Sequence, residues 1–282
     1  MTALQQVQFQ LLQEFLKVCE KLGLKYYMVC GSVLGAAKFQ GFIPWDDDLD
    51  VGLPREDYEI FLREAQKLLP EHVFLQNHRT DPEFPFLFSK LRHSGTTYIE
   101  ACRSHLDMNH GVYIDVFPID GHPTRPDQMR KFKWQRMFYE LRWKTALQYT
   151  GWKKPVAWVR NRLVYLACDL TGRSRDSVQA LAEYNCFLAG FRLEDSLLWC
   201  NYGNKQGTRE YAPREQYGEG TFLDFEELQV RVPADYDAYL TQKYGSWRED
   251  IPEERKKGMH PYLVCDLERP YTDYAHLYGK HN

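Results

Sequence analysis

Residues 27–53 read YMVCGSVLGAAKFQGFIPWDDDLDVGL, and the contrasts inside this stretch decide the fold. The apolar run Tyr26 to Cys30 reads as a buried strand. Gly31-Ser32, followed by the small residues from Val33 to Lys38, predicts a tight turn into a short helix. The chain then passes through Phe42-Ile43-Pro44-Trp45 into Asp46-Asp47-Asp48-Leu49-Asp50-Val51. Neighbouring side chains of an extended segment point to opposite faces. On that basis Asp46, Asp48 and Asp50 share one face, and Asp47, Leu49 and Val51 share the other. Leu49 and Val51 belong in a core, so the three carboxylates are expected to face a cleft, and Asp47 is left as a structural or capping residue. Like charges at this spacing repel, and a cation between them relieves the repulsion. Hard divalent ions, Mg2+ or Mn2+, take carboxylate oxygen. Gly31 lets backbone approach a ligand closely, while Ser32 and the start of the following helix offer hydrogen-bond donors to an anion. A phosphate-holding turn beside metal-holding carboxylates describes phosphoryl or nucleotidyl transfer.

Outward from this stretch, Leu4, Val7, Leu11, Phe15, Val18 and Leu22 recur at helical spacing, and Gly23 marks the helix end. Pro54 opens a second helix, Arg55 to Leu69. Strands are expected at 73–76, 86–91, 96–99 and 112–117, separated by turn residues. In the last of these, Asp115 is a charge in an apolar strand, which is costly without a partner. A metal shared with Asp48 and Asp50 is the partner expected here, with Asp115 acting as a third ligand or as general base. Asp46 either ligates or shapes the turn. Lys90 and Arg92 lie on one strand face and are read as holding a nucleotide diphosphate, against the alternative of plain solvent-facing charges. Residues 124–190 read as helical throughout, and short strands near 197–202, 221–225 and 228–232 precede a helix over 233–244.

Gly31-Ser32, Leu34-Gly35, the run Gly41 to Asp50 and Gly111-Val112-Tyr113-Ile114-Asp115-Val116-Phe117-Pro118 together resemble the LicD family. That family includes bacterial phosphocholine transferases and, more distantly, fukutin and fukutin-related protein. It is a branch of the nucleotidyltransferase fold superfamily. The resemblance is dense over 27–54 and 111–118 and returns weakly at Val232-Pro233, Tyr236-Asp237, Tyr239-Leu240 and Tyr244-Gly245. It implies an α+β fold with a mainly antiparallel sheet flanked by helices. A catalytic core over 1–123 would be completed by 191–282, with 124–190 as a helical insertion. It also implies transfer of phosphocholine or a similar phospho-alcohol from a CDP-linked donor such as CDP-choline to a hydroxyl of a cell-surface glycan precursor. A third carboxylate from a neighbouring strand usually completes the family's site, which fits Asp115. Two other readings stay open: an ordinary nucleotidyltransferase moving NMP from an NTP, and a catalytically inactive binding module of the same fold.

The 282 residues suffice for one large domain, and 44% hydrophobic content gives it a core. No stretch approaches the ~18 apolar residues of a membrane span, and the first residues lack the pattern of a signal peptide. Seven scattered cysteines without a CxxC pair fit reduced thiols in the cytoplasm. Residues 128–164 carry ten Lys and Arg against Glu140 alone, a net +9 that leaves −12 for the rest of a chain of formal charge −3. With Phe132, Trp134, Trp143, Trp152 and Trp158 interleaved, that segment suits a peripheral contact with the inner face of a membrane or a polyanionic acceptor; the other reading is a helical lid with solvated lysines. No nucleic-acid partner is expected. Cys102, His105 and His110 match no zinc-ligand spacing and read as a polar loop. His260 is a candidate to reach the site from the tail. Trp45, Tyr27, Tyr98 and Tyr113 are candidates to line a choline pocket.

Overall fold

The computed structural model describes residues 1–146, 155–203 and 207–279. Helix α1 (Ala3–Leu22) begins with a capping box: Thr2 accepts from the Gln5 amide while the Gln5 side chain accepts from the Thr2 amide. It ends at Gly23 in the left-handed region, φ 65°. Its apolar stripe, Phe9, Leu11, Leu12, Phe15, Val18 and Cys19, is buried against the sheet. The expected strand after it shortens to β1 (Tyr27–Met28), because helix α2 (Cys30–Leu34) starts three residues earlier than the small-residue run suggests. One irregular turn, Gly35–Phe39, follows.

Strand β2 (Asp50–Pro54) leads into α3 (Arg55–Glu64), then β3 (Val73–Gln76), β4 (Ser89–His93), β5 (Thr97–Glu100) and the long β6 (Val112–His122). Three helices follow, α4 (Pro126–Ala146), α5 (Pro155–Thr171) and α6 (Ser177–Ala189). The chain returns through β7 (Leu198–Cys200), β8 (Tyr211–Pro213), α7 (Arg214–Tyr217), the hairpin β9 (Thr221–Phe225) and β10 (Leu228–Val232), α8 (Tyr236–Tyr244) and β11 (Tyr262–Asp266). Among the described residues the main sheet runs β1-β2-β6-β4-β3, with β7 on the far end of β6 and β8 beside β7. The β2–β6 pair is parallel and the other pairs are antiparallel. This is the mainly antiparallel α+β architecture expected from the sequence. The strand β11 was not anticipated: it pairs with β5 and ties the polar tail to the centre of the molecule.

The main core fills the side of the sheet that holds α1 and α3, with Leu12, Phe15, Val51, Leu53, Phe61, Ile114 and Val116 at its centre. A smaller core lies under the three helices, where Phe132, Leu181, Tyr184 and Leu188 meet Tyr139 and Trp143. Of the aromatic residues expected at a membrane or acceptor surface, Phe132 is thus buried and Trp143 half-buried, while Trp134 is exposed. Arg142 is internal as well, paired with Glu183 at 2.6 Å and bonded to the Ser174 carbonyl. Tyr149, Trp152, Lys153, Lys154 and the side chain of Trp158 fall outside the described part.

Candidate active site

Strand register brings the acidic residues together. In the parallel β2–β6 pair Asp50 stands directly beside Asp115, and in the antiparallel β4–β6 pair Lys90 stands beside Asp115 on its other side. Asp50, Asp115 and Lys90 therefore form a row across three adjacent strands, on one face. Lys90 Nζ lies 2.7 Å from Asp115 Oδ1 and 3.1 Å from the centre of the Tyr113 ring. The buried charge of Asp115 thus has a protein partner, Lys90, where the sequence suggested a metal alone. Ser32 fixes the start of the row, since its Oγ accepts from the Asp50 amide at 2.8 Å. Gly31 lies against Asp46: a Cβ there would sit 3.1 Å from Asp46 Oδ2.

Residues 46–49 are not a strand, so the strict alternation expected for the aspartates holds only from Asp50 onward. The carboxylates still crowd one another. Burial raises the Asp46 carboxyl to about 8, with Asp48 and Asp47 adding repulsion. Burial also raises Asp48 to about 6, with Asp115 adding to it and the His260 charge opposing. Burial and then the charges of Asp48, Asp115 and Asp46 push Asp50 well above the usual carboxylate range. Burial raises Asp115 as well, against the pull of Lys90. A cluster whose members hold one another's charge in check is a set of hard oxygen donors suited to a divalent cation. Arg92 lies one strand position pair behind Lys90. It is fully buried, donating to Gln76 Oε1 and the Gly111 carbonyl at 2.7 Å each, with its guanidinium over the Tyr113 ring.

Several groups at the site carry no local signal. The buried amides of Gln5 and Gln8 on α1 reach the carbonyls of Ile43, Asp46 and Asp47 and hold the acidic loop by its backbone. Cys30 adopts φ 53°, unusual for a residue with a side chain, and its amide donates to the Tyr239 hydroxyl of α8. Glu100 is buried; burial pulls its carboxyl up, but Lys90, Arg92, His260 and Arg103 together hold it below its usual value. The tail reaches the loop as well. Asp47 accepts from the amides of Met259 and His260 and from His260 Nδ1 at 2.8 Å, and His260 Nδ1 lies 3.7 Å from Asp48. Gly258 packs so closely on Asp47 that a Cβ would stand 2.4 Å from Oδ2. Asp47, Asp48 and His260 present ligand atoms within 4.8 Å of one another, the one group of three so placed among the described residues; Asp46, Asp50 and Asp115 are not in it.

The His260–Asp47 contact has a pH signature. Burial opposes the imidazolium, but the Asp47 hydrogen bond and the Asp48 charge outweigh it and raise His260 from 6.5 to about 9. A raised folded value means stabilisation that is complete below the unfolded value near 6.5 and lost as pH climbs through 9. In metal-free buffer, the melting temperature of the parent should exceed that of His260→Gln most at pH 6, by an amount equivalent to roughly 1–3 kcal/mol. The gap should close by pH 10. A gap that does not change with pH would mean a neutral, merely packed imidazole.

Other candidates lie elsewhere. His110 is buried, bonded to the Leu106 carbonyl and packed on Tyr278, while Cys102 is exposed; with His105 they form no metal-holding group among the described residues. Tyr27 donates to the Gly218 carbonyl and packs on Tyr217. Tyr98 donates to the His260 carbonyl, and the centre of the Tyr113 ring lies 3.1 Å from Lys90 Nζ and 4.7 Å from the Arg92 guanidinium carbon. All three tyrosines are buried, and the Trp45 ring lies under Lys256.

Comparison with known proteins places the sequence among relatives of known activity. Residues 23–147 match the family model described as LicD/FKTN/FKRP, nucleotidyltransferase domain. Lipopolysaccharide cholinephosphotransferase LicD of Haemophilus influenzae is 27% identical over 270 residues, 91% of this chain and 94% of that protein. An uncharacterized protein of Rickettsia prowazekii is 43% identical over 115 residues, 41% of this chain and 40% of that one. Ribitol 5-phosphate transferase FKRP of Homo sapiens is 34% identical over 71 residues, 24% of this chain and 14% of its own length. Residues 23–147 thus match the nucleotidyltransferase domain of the LicD/fukutin-like family, and the likeness to LicD runs over nearly the whole chain.

Proposed function

We propose that this chain is a metal-dependent phosphotransferase that moves phosphocholine, or a similar phospho-alcohol, from a CDP-linked donor to a hydroxyl of a cell-surface glycan precursor, releasing CMP. That it transfers a phosphate-linked group rests on its family and on the named activities of its relatives. The observation that carries the reading is the row Asp50–Asp115–Lys90 across three strands, with Asp48 beside it. Asp48, Asp50 and Asp115 would hold Mg2+ or Mn2+, with Asp46 as a further ligand or as the residue that sets the turn. Such an ion neutralises charge on the transferred phosphate. Gly31 and Ser32 give the donor's phosphates a close approach, and Lys90, with Arg92 fixed behind it, supplies the positive side of the site. Asp115 either serves as a ligand or accepts the proton of the acceptor hydroxyl. Residues 1–123 and 191–282 make up the catalytic core in this reading, and 124–190 is an insertion. Seven free cysteines, with no disulfide, suit a cytoplasmic setting.

The test is an incubation with CDP-choline, CDP-ribitol and labelled NTPs, with and without Mg2+ or Mn2+, following CMP and pyrophosphate. Metal-dependent CMP release from a CDP-alcohol is expected. Pyrophosphate from an NTP in place of CMP would make the chain a nucleotidyltransferase, and no turnover together with no metal binding by calorimetry would make it a binding module.

A further inference from the structure

Helix α5 turns an apolar face outward. Val159, Leu163, Leu166 and Leu170 are between 50% and 79% exposed. Their spacing, i, i+4, i+7 and i+11, puts them on one side of the helix over three turns. The opposite side, Asn161, Val164 and Cys168, is the buried one, with the Thr145 hydroxyl of α4 bonded to Asn161 at 3.3 Å. The core face of α5 is therefore already satisfied, and four large aliphatic side chains in a line are more than scattered surface apolar residues. On α4, which packs against α5, Trp134 is 70% exposed and Met137 is also exposed. Arg130, Lys131 and Lys133 are exposed beside them. They have no ion pair among the described residues, unlike Lys144 and Arg142, which are paired with Glu140 and Glu183.

We infer that α5 docks on an anionic lipid bilayer. The stripe Val159-Leu163-Leu166-Leu170 enters the boundary between headgroups and acyl chains, and the cations of α4 meet lipid phosphates. Helices of this kind lie in the plane of the interface and need no spanning length, and no helix among the described residues is long and apolar enough to cross a membrane. Charge selects this occupant over a second copy of the chain. Two faces carrying the exposed Arg130, Lys131 and Lys133 repel when placed together, whereas an anionic surface attracts them. The inference goes beyond the reaction proposed above and gives it a place, bringing the site to acceptors carried on lipid.

The test is sedimentation of the full chain with vesicles of phosphatidylcholine, with and without phosphatidylglycerol, over a range of salt. Binding to the anionic vesicles that weakens as salt rises is expected. The double variant Leu163→Asp/Leu166→Asp, made at exposed positions and checked for an unchanged melting temperature, should partition at least about tenfold more weakly. Lys131→Glu/Lys133→Glu should flatten the salt dependence. Equal recovery in the supernatant with both vesicle types at low salt overturns the inference. So does full binding by the leucine variant. A concentration-dependent dimer seen by light scattering and lost in that variant also overturns it, by assigning the stripe to a second copy. CMP release from a soluble CDP-alcohol, measured on the same samples, records separately whether the reaction itself is present.

Discussion

Asp50→Asn should abolish metal-dependent turnover, by about a hundred- to a thousandfold or more, without unfolding the protein. Asp115→Asn should do the same to turnover, yet the two variants should part company in stability. Asp50 is surrounded by Asp46, Asp48 and Asp115, and its carboxyl is driven upward by burial and by their charge. Replacing it removes repulsion, so the metal-free protein should melt at the same temperature or higher. Asp115 is the direct partner of Lys90, which is itself buried. Its replacement leaves an ammonium group facing less charge, so the metal-free protein should lose on the order of 1–3 kcal/mol. Thermal melts and donor turnover, measured side by side, test both. Full turnover in either variant would remove that residue from the site. A large loss of stability in Asp50→Asn would mean that the cluster is a structural network, not one held open for a cation.

The largest effect on folding should come from a pair away from the chemistry. Arg55, at the start of α3, donates from Nε to Asp120 Oδ1 at 2.6 Å and from a terminal nitrogen to Oδ2 at 2.7 Å, and Asp120 is completely buried. The fork pins α3 to the far half of β6, the strand that carries Asp115. Arg55→Met strands a buried carboxylate and should cost about 3–5 kcal/mol, which for a chain of this size lowers the melting temperature by roughly 10 °C. Arg55→Met/Asp120→Leu removes both charges and should recover most of that loss. Calorimetry on the two variants checks this. A single variant that costs under about 1 kcal/mol would mean that water reaches Asp120 once the arginine is gone.

The residues behind both predictions differ in how legible they are in the sequence. The Gly-Ser turn, the aspartate run and the lone charge in an apolar strand are local patterns, and period and composition were enough to bring Asp50 and Asp115 into one proposal. The α1 helix was legible from its apolar spacing and its end at Gly23, but Gln5 and Gln8 on its inner side gave no sign that they would hold the acidic loop. Asp47 was assigned by strand alternation, and alternation fails where the backbone is not yet a strand. Its true partners are His260 and Gly258, more than two hundred positions away, and no periodicity reports a contact at that separation. Arg55 and Asp120 were passed over for the same reason: each looks like an ordinary helix or strand-end charge until the fold closes them on each other. Lys90 was legible as a strand cation near the site, read as a phosphate holder, but its commitment to Asp115 required the register of β4 against β6.

The grip of the tail on Asp47 also has a consequence for how the molecule comes into being. The contacts join residues 213 positions apart. During synthesis at roughly 5–20 residues per second, the acidic loop waits on the order of 10–40 s for the Gly258–His260 turn to be made. Until then the N-terminal half can build β1, β2 and α1, and Gln5 and Gln8 can hold the loop's backbone, but the Asp47 carboxylate lacks its His260 partner. The last contact to form is one of high sequence separation and costs the most loop-closure entropy. A ribosome-bound fragment thus holds every carboxylate of the row before the tail can reach Asp47 and before β11 can join β5.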